Sequence, residues 1–184
     1  MNLNLHSLLL ALCVALSSSL LHAQESPEQV AEEYFEAMQT EGLLATSRFM
    51  HPSALAEFKS MVMPVYEAEH SAGGRQLLDL TFSPSVDYEA LQAMDPMDFL
   101  NGFMGVVTAQ NGNVPLQFDK LEILGTIDEG EARHVLTRMT VGVGELALAQ
   151  IEVLSFLPYE DTWLLQLNMD LKGLATALRS NLRQ

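Results

Sequence analysis

The apolar residues of this chain change period once, and that change constrains the fold more than any other feature. From Val30 to Ala109 they recur every three to four residues, the spacing that places side chains on one face of a helix. From Val114 to Met169 they alternate, as on a strand with one buried face. Helices first and strands after, joined by short turns, predict separate layers rather than a parallel sheet, whose strands need crossover elements between them. The expected architecture is α+β: N-terminal helices packed on a curved antiparallel sheet of about four or more strands, with a short C-terminal helix. A sheet bent around a long helix leaves a cone with a cavity at its wide end.

Punctuating residues divide the helical half. Ser26, Pro27 and Gln29 supply an N-cap, a first-position proline and a capping box. Val30, Tyr34, Ala37 and Met38 then share one face, Glu28, Glu32, Glu33 and Glu36 take the solvated one, and Gly42 suits the C-terminal end. His51-Pro52-Ser53 opens a second helix carrying Leu55, Phe58, Val62 and Val65. Within it Pro64 has no N–H to donate, which predicts a kink or break. Ser71 to Gly74 reads as a loop. A third helical region spans Asp87 to Ala109 and restarts at Asp95-Pro96; Gly102 and Gly105 in it point to close packing against a neighbour.

In the second half, Leu116 and Phe118 alternate in one phase and Leu121, Ile123 and Ile127 in the other, so a bulge is expected near Asp119-Lys120. Val135, Thr137, Met139, Val141 and Val143 mark a second strand. Ala147, Ala149, Ile151 and Val153 form the apolar row of a third, with Gln150 and Glu152 on its other side. Thr162 to Met169 make a fourth around Trp163, the only tryptophan, which is expected to be largely buried. Turns fall at Asp128–Glu131, Gly142–Glu145 and Pro158–Asp161, and Asp170 is the expected cap of the closing helix.

Composition narrows the function classes. Nine Lys and Arg against 24 Asp and Glu, a formal charge of −15, exclude a nucleic-acid scaffold, which needs a basic face to neutralise phosphate. The apolar run Leu8 to Leu16, followed by three serines and Ala23, has the layout of a secretory signal and falls short of the about 20 apolar residues that span a bilayer. Residues 1–23 are therefore expected to be cleaved between Ala23 and Gln24, leaving one domain over 24–184, periplasmic or secreted and with no stable membrane insertion. The only cysteine, Cys13, lies in that signal. Thiol catalysis and cysteine-bound zinc are then excluded from the mature domain.

Particular residues carry a resemblance. The helix Val30-Ala31-Glu32-Glu33-Tyr34-Phe35-Glu36-Ala37-Met38, the Phe49-Met50-His51-Pro52 junction, and the strand cores Leu121–Gly125, Ala132–Val135, Ile151–Leu154 and Thr162–Leu165 resemble the nuclear transport factor 2-like superfamily. That class includes steroid isomerase, scytalone dehydratase and polyketide cyclases. The resemblance implies a cone-shaped α+β fold and a pocket. It carries over no catalytic residue, and the helical insert from Ser71 to Ala109 departs from the smallest members.

Candidate site residues follow from chemistry alone. Tyr34 on the first helix could donate to a developing oxyanion, or pack in the core with its hydroxyl at the rim. His134 and Arg138 lie four apart on one strand, and Glu152 on the next could meet them. A His–carboxylate pair in a cavity is a general base, whereas the same residues on a solvated face are an ordinary cross-strand pair. Tyr34, Met38, Met104 and Arg138 are candidates to line a ligand pocket. Met61-x-Met63 and Met94-x-x-Met97, with His70, match thioether spacings for Cu(I), but the same methionines fit apolar helix positions as core filler. No metal or other cofactor is expected. The expected function is an exported, non-enzymatic domain binding an apolar small molecule or an envelope protein, with homodimerisation through the outer face of the sheet a further option; the alternative is a cofactor-free dehydratase or isomerase using Tyr34, His134 or Glu152.

Overall fold

Six α-helices, one 3-10 helix and a four-stranded antiparallel sheet make up residues 25–110, 116–143 and 146–181, the part that the computed structural model describes. The expected signal with Cys13, and the junction Ala23–Gln24, lie outside the described residues.

The first helix, α1 (Pro27–Thr40), begins as its cap predicts. Ser26 Oγ accepts from the Gln29 backbone N–H and Gln29 Oε1 accepts from the Ser26 N–H, closing the capping box. Gly42 follows at φ +89°, and its N–H donates back to the carbonyl of Ala37. A 3-10 helix, Leu43–Phe49, leads to α2 (Pro52–Ser71), whose N-cap is His51: Nδ1 accepts from the Ser53 N–H at 3.2 Å. Of the kink or break expected at Pro64, the break does not occur: α2 continues through it. Two short helices follow, α3 (Gln76–Thr81), absent from the sequence reading, and α4 (Tyr88–Ala93), capped by Asp87. The expected restart at Asp95-Pro96 is the start of α5 (Pro96–Gln110). Gly102 packs as expected against Phe82; Gly105 meets nothing within 4 Å.

Strands β1 (Leu116–Glu129), β2 (Ala132–Val143), β3 (Leu146–Tyr159) and β4 (Thr162–Leu165) pair in sequence order. The register slips between Phe118 and Lys120, at the expected bulge, and again between Ile123 and Gly125. That second bulge turns Ile127 outward, where it is 63% exposed, although its phase had matched Leu121 and Ile123. In β3 the row expected to be the apolar face, Ala147 to Val153, points away from the helices. The reason is register: Val135, fully buried, lies opposite Leu154, which sets Leu154 and Phe156 inward and Ile151 and Val153 outward. The closing helix α6 (Met169–Asn181) is capped two residues earlier than expected, by Asn168, whose Oδ1 accepts from the Leu171 N–H.

The core sits between the helices and the inward face of the sheet. Phe58 and Phe99 are fully buried, and Phe58 meets Phe99 and Phe103 edge to face at 6.3 and 5.4 Å. Trp163 is only half-buried, with the Arg133 guanidinium 5.7 Å above its ring. The short β4 explains the difference from expectation: as an edge strand it leaves one side of the indole uncovered. Met61, Met63, Met94, Met97 and Met104 pack against this core, and His70 stacks on Tyr88 at 4.4 Å.

Candidate functional site

A cavity of about 330 Å3 opens where the helices meet the end of the sheet. Tyr34 comes from α1, Leu43 to Ser47 from the 3-10 helix, and Leu100, Asn101 and Met104 from α5; Leu154, Leu165 to Asn168 and the start of α6 close it. These elements converge for a local reason. The His51 N–H donates to the carbonyl of Leu165 at 2.8 Å, and Met50 bridges to Leu165, so the end of the 3-10 helix is tied to β4. Leu, Met and Val make up most of the wall, and Thr46, Ser47, Asn101, Gln166 and Lys172 are among its polar members; Asn101 Oδ1 is buried with no hydrogen-bond partner among the described residues. An unpaired buried acceptor costs free energy that water or a ligand donor recovers.

Two of the expected pocket residues, Tyr34 and Met104, line this cavity. Met38 does not: it is buried in a separate cluster with Phe35 and Met139. Arg138 stands on the outward face of the sheet, exposed and paired with Glu122 at 3.0 Å.

The expected meeting of His134 with Glu152 does not occur. Register sets His134 opposite Ser155 and Glu152 opposite Thr137, so the two side chains leave opposite faces of the sheet. His134 instead bonds the Ser155 hydroxyl through Nδ1 at 2.8 Å and Glu129 through Nε2 at 2.9 Å, an arrangement that occupies both ring nitrogens. Its outward position is that of the solvated cross-strand pair rather than of a base in a cavity.

Glu152 faces inward beside a cleft that it shares with Asn168, Met169 and Asp170 and that adjoins the main cavity through Val153 and Leu154. Burial pushes its carboxyl above the usual carboxylate range, and the charge of Asp170 pushes the same way. Tyr34 feels both groups. Burial raises its phenol to about 12, with Glu152 and Asp170 contributing. A phenol in that state stays protonated at neutral pH; it can donate a hydrogen bond but is a poor acid. Its ring meets Phe49 edge-on at 5.8 Å, which restrains the side chain where it lines the cavity.

Several wall residues were not anticipated: the 3-10 segment, Gln166 to Asn168, and Asn101. Only Asn101 left a signal in the sequence, as a lone amide inside the apolar run Phe99–Val107. Among the described residues, no cluster of three His, Cys, Asp or Glu is placed to hold a metal ion, and no helix is long and apolar enough to cross a membrane. No protein-family profile, characterised protein or solved structure matches the chain.

Proposed function

We propose that this is an exported, non-enzymatic domain of the cone-shaped nuclear transport factor 2-like class that binds a small, largely apolar molecule in the cavity bordered by Tyr34, Leu100, Asn101 and Met104. One observation carries the reading: a cavity of about 330 Å3, walled mainly by Leu and Met, lies on the opposite face of the sheet from His134 and Arg138. That volume is at the lower end of small-molecule sites, which combine apolar walls with few polar points. Affinity then comes from buried apolar area, at about 25 cal/mol per Å2, with Asn101 and the Tyr34 hydroxyl orienting the ligand. Truncating Leu100 or Met104 to Ala should weaken binding of any small apolar molecule that co-purifies with the chain more than Tyr34→Phe or His134→Ala, which should leave it within about threefold.

A second reading rests on Tyr34 and Glu152, whose environments both disfavour the charged form at neighbouring positions. A carboxyl that holds its proton more tightly than usual, together with a phenol donor, is the kind of pair that a cofactor-free isomerase or dehydratase uses. Turnover of the bound molecule that falls 10²–10⁴-fold in Glu152→Gln, with affinity unchanged, would establish the enzyme and displace the binding module.

A further inference from the structure

Strand β4 is four residues long and pairs only with Phe156–Tyr159 of β3. Among the described residues, nothing pairs with Leu146–Val153 on that side of the sheet. We propose that this open edge, Ala147 to Ile151, pairs antiparallel with the same segment of a second copy of the chain, joining two sheets into one.

The direction of the backbone groups follows from one hydrogen bond. The Gln166 N–H donates to the carbonyl of Ser155 at 2.8 Å, so the polar groups of Ser155 point to the β4 side. In an antiparallel strand they alternate, and the β2–β3 register runs unbroken from Arg133–Phe156 to Val143–Leu146. Ala147, Ala149 and Ile151 therefore present N–H and C=O to the open edge. Natural edge strands are guarded by Lys, Pro, bulges or inward charges. From Leu146 to Glu152 there is no Lys, Pro or bulge, and the inward Glu152 at the end of the segment is the one guard of this kind. The side chains are exposed as well: Leu146 is 68%, Leu148 59%, Ile151 61% and Val153 54% exposed, on both faces of the strand.

Self-complementarity selects a second copy as the occupant. Pairing centred on Ala149 sets each Ala147 opposite Ile151 of the second copy, small against large on the outward face, and each Leu148 opposite Gln150. Glu152 falls opposite Leu146, so no like charges meet although the chain carries −15. The four exposed aliphatics offer roughly 400 Å2 per copy, or roughly 800 Å2 in all, below the about 1,200–2,000 Å2 of stable complexes. The dimer is accordingly weak and concentration-dependent.

Sedimentation velocity of the purified chain from about 1 to 500 μM should show mass rising from monomer toward dimer. Ala149→Pro, which removes an edge N–H, and Ile151→Lys, which adds a guard charge at an exposed position, should each weaken association at least tenfold with unchanged circular dichroism. If the proline variant fails to fold, the lysine variant decides. In a Cys13→Ser background, Ala149→Cys should form an intermolecular disulfide on mild oxidation, and Glu131→Cys at the β1–β2 turn should not. Monomer throughout the range, association untouched by Ile151→Lys, cross-linking equal at both cysteines, or a monomer whose edge takes up a basic strand peptide instead would each overturn the proposal.

Discussion

Glu152 carries a pH signature at the level of single residues. Its carboxyl is raised above the unfolded value, first by burial and then by Asp170, so the folded state holds its proton to higher pH than the unfolded chain does. Stability associated with this group is therefore present below the unfolded carboxylate range and is lost as pH rises through the folded value. Glu152→Gln, which cannot ionise, should raise the melting temperature relative to wild type at pH 7, and the difference should shrink on approaching pH 4. Equal differences at both pH values would remove the burial argument. Aromatic residues give a second contrast. Phe58 is fully buried between Phe99 and Phe103, and its truncation to Ala should cost about 3–5 kcal/mol. Trp163, half-buried beneath Arg133, should cost clearly less in a chemical-denaturation series, with fluorescence emission between buried and exposed indole.

Elements respond to their glycines and prolines according to what lies beside them. A Cβ on Gly102 of α5 would fall 2.4 Å from Phe82 Cε1, so Gly102→Ala should destabilise by about 1–3 kcal/mol. Gly105, one turn on with open space around it, should gain up to about 1 kcal/mol as Ala, from helix propensity alone. Pro64→Ala restores a missing N–H inside α2 and should stabilise by on the order of 1 kcal/mol or more, read from the denaturation midpoint. What the sequence revealed at this scale, and what it hid, has physical reasons. The change of period at Val114, the Ser26 box, the Asp95-Pro96 restart and the Asp119 bulge were legible because each is encoded by adjacent residues. The Leu124 bulge was not, because an apolar residue sits at the slip and masks the change of phase. The inward face of β3 was hidden for a related reason: Leu146 and Leu148 on one side and Ile151 and Val153 on the other are both apolar, so alternation names no winner. A good part of the cavity wall comes from the 3-10 helix and from Gln166 to Asn168 after β4, which have no period to read. Tyr34 and Met104 were found because they lie on amphipathic helices. The His134–Glu152 pairing failed on hairpin register, which single-strand periodicity does not contain.

At the scale of the molecule, the chemistry separates by face. The inward side of the sheet and the helices border a mainly apolar cavity that Tyr34 helps to line; the outward side carries His134, Arg138 and Glu122 in solvated pairs. Such pairs contribute little to stability and bring no titratable group to the cavity. The formal charge of −15 repels anionic ligands and favours neutral or cationic ones at low ionic strength. The proposed ligand binding makes one demand: the purified chain should retain a small molecule that fits the cavity by shape and apolarity. Native mass spectrometry of the purified protein measures this directly. The account predicts a non-covalent adduct of a small, weakly polar molecule that is lost in Leu100→Trp, which fills the cavity, and kept in His134→Ala. A protein that carries no adduct and takes up no apolar ligand, or an adduct lost with His134 but not with the filled cavity, would contradict it.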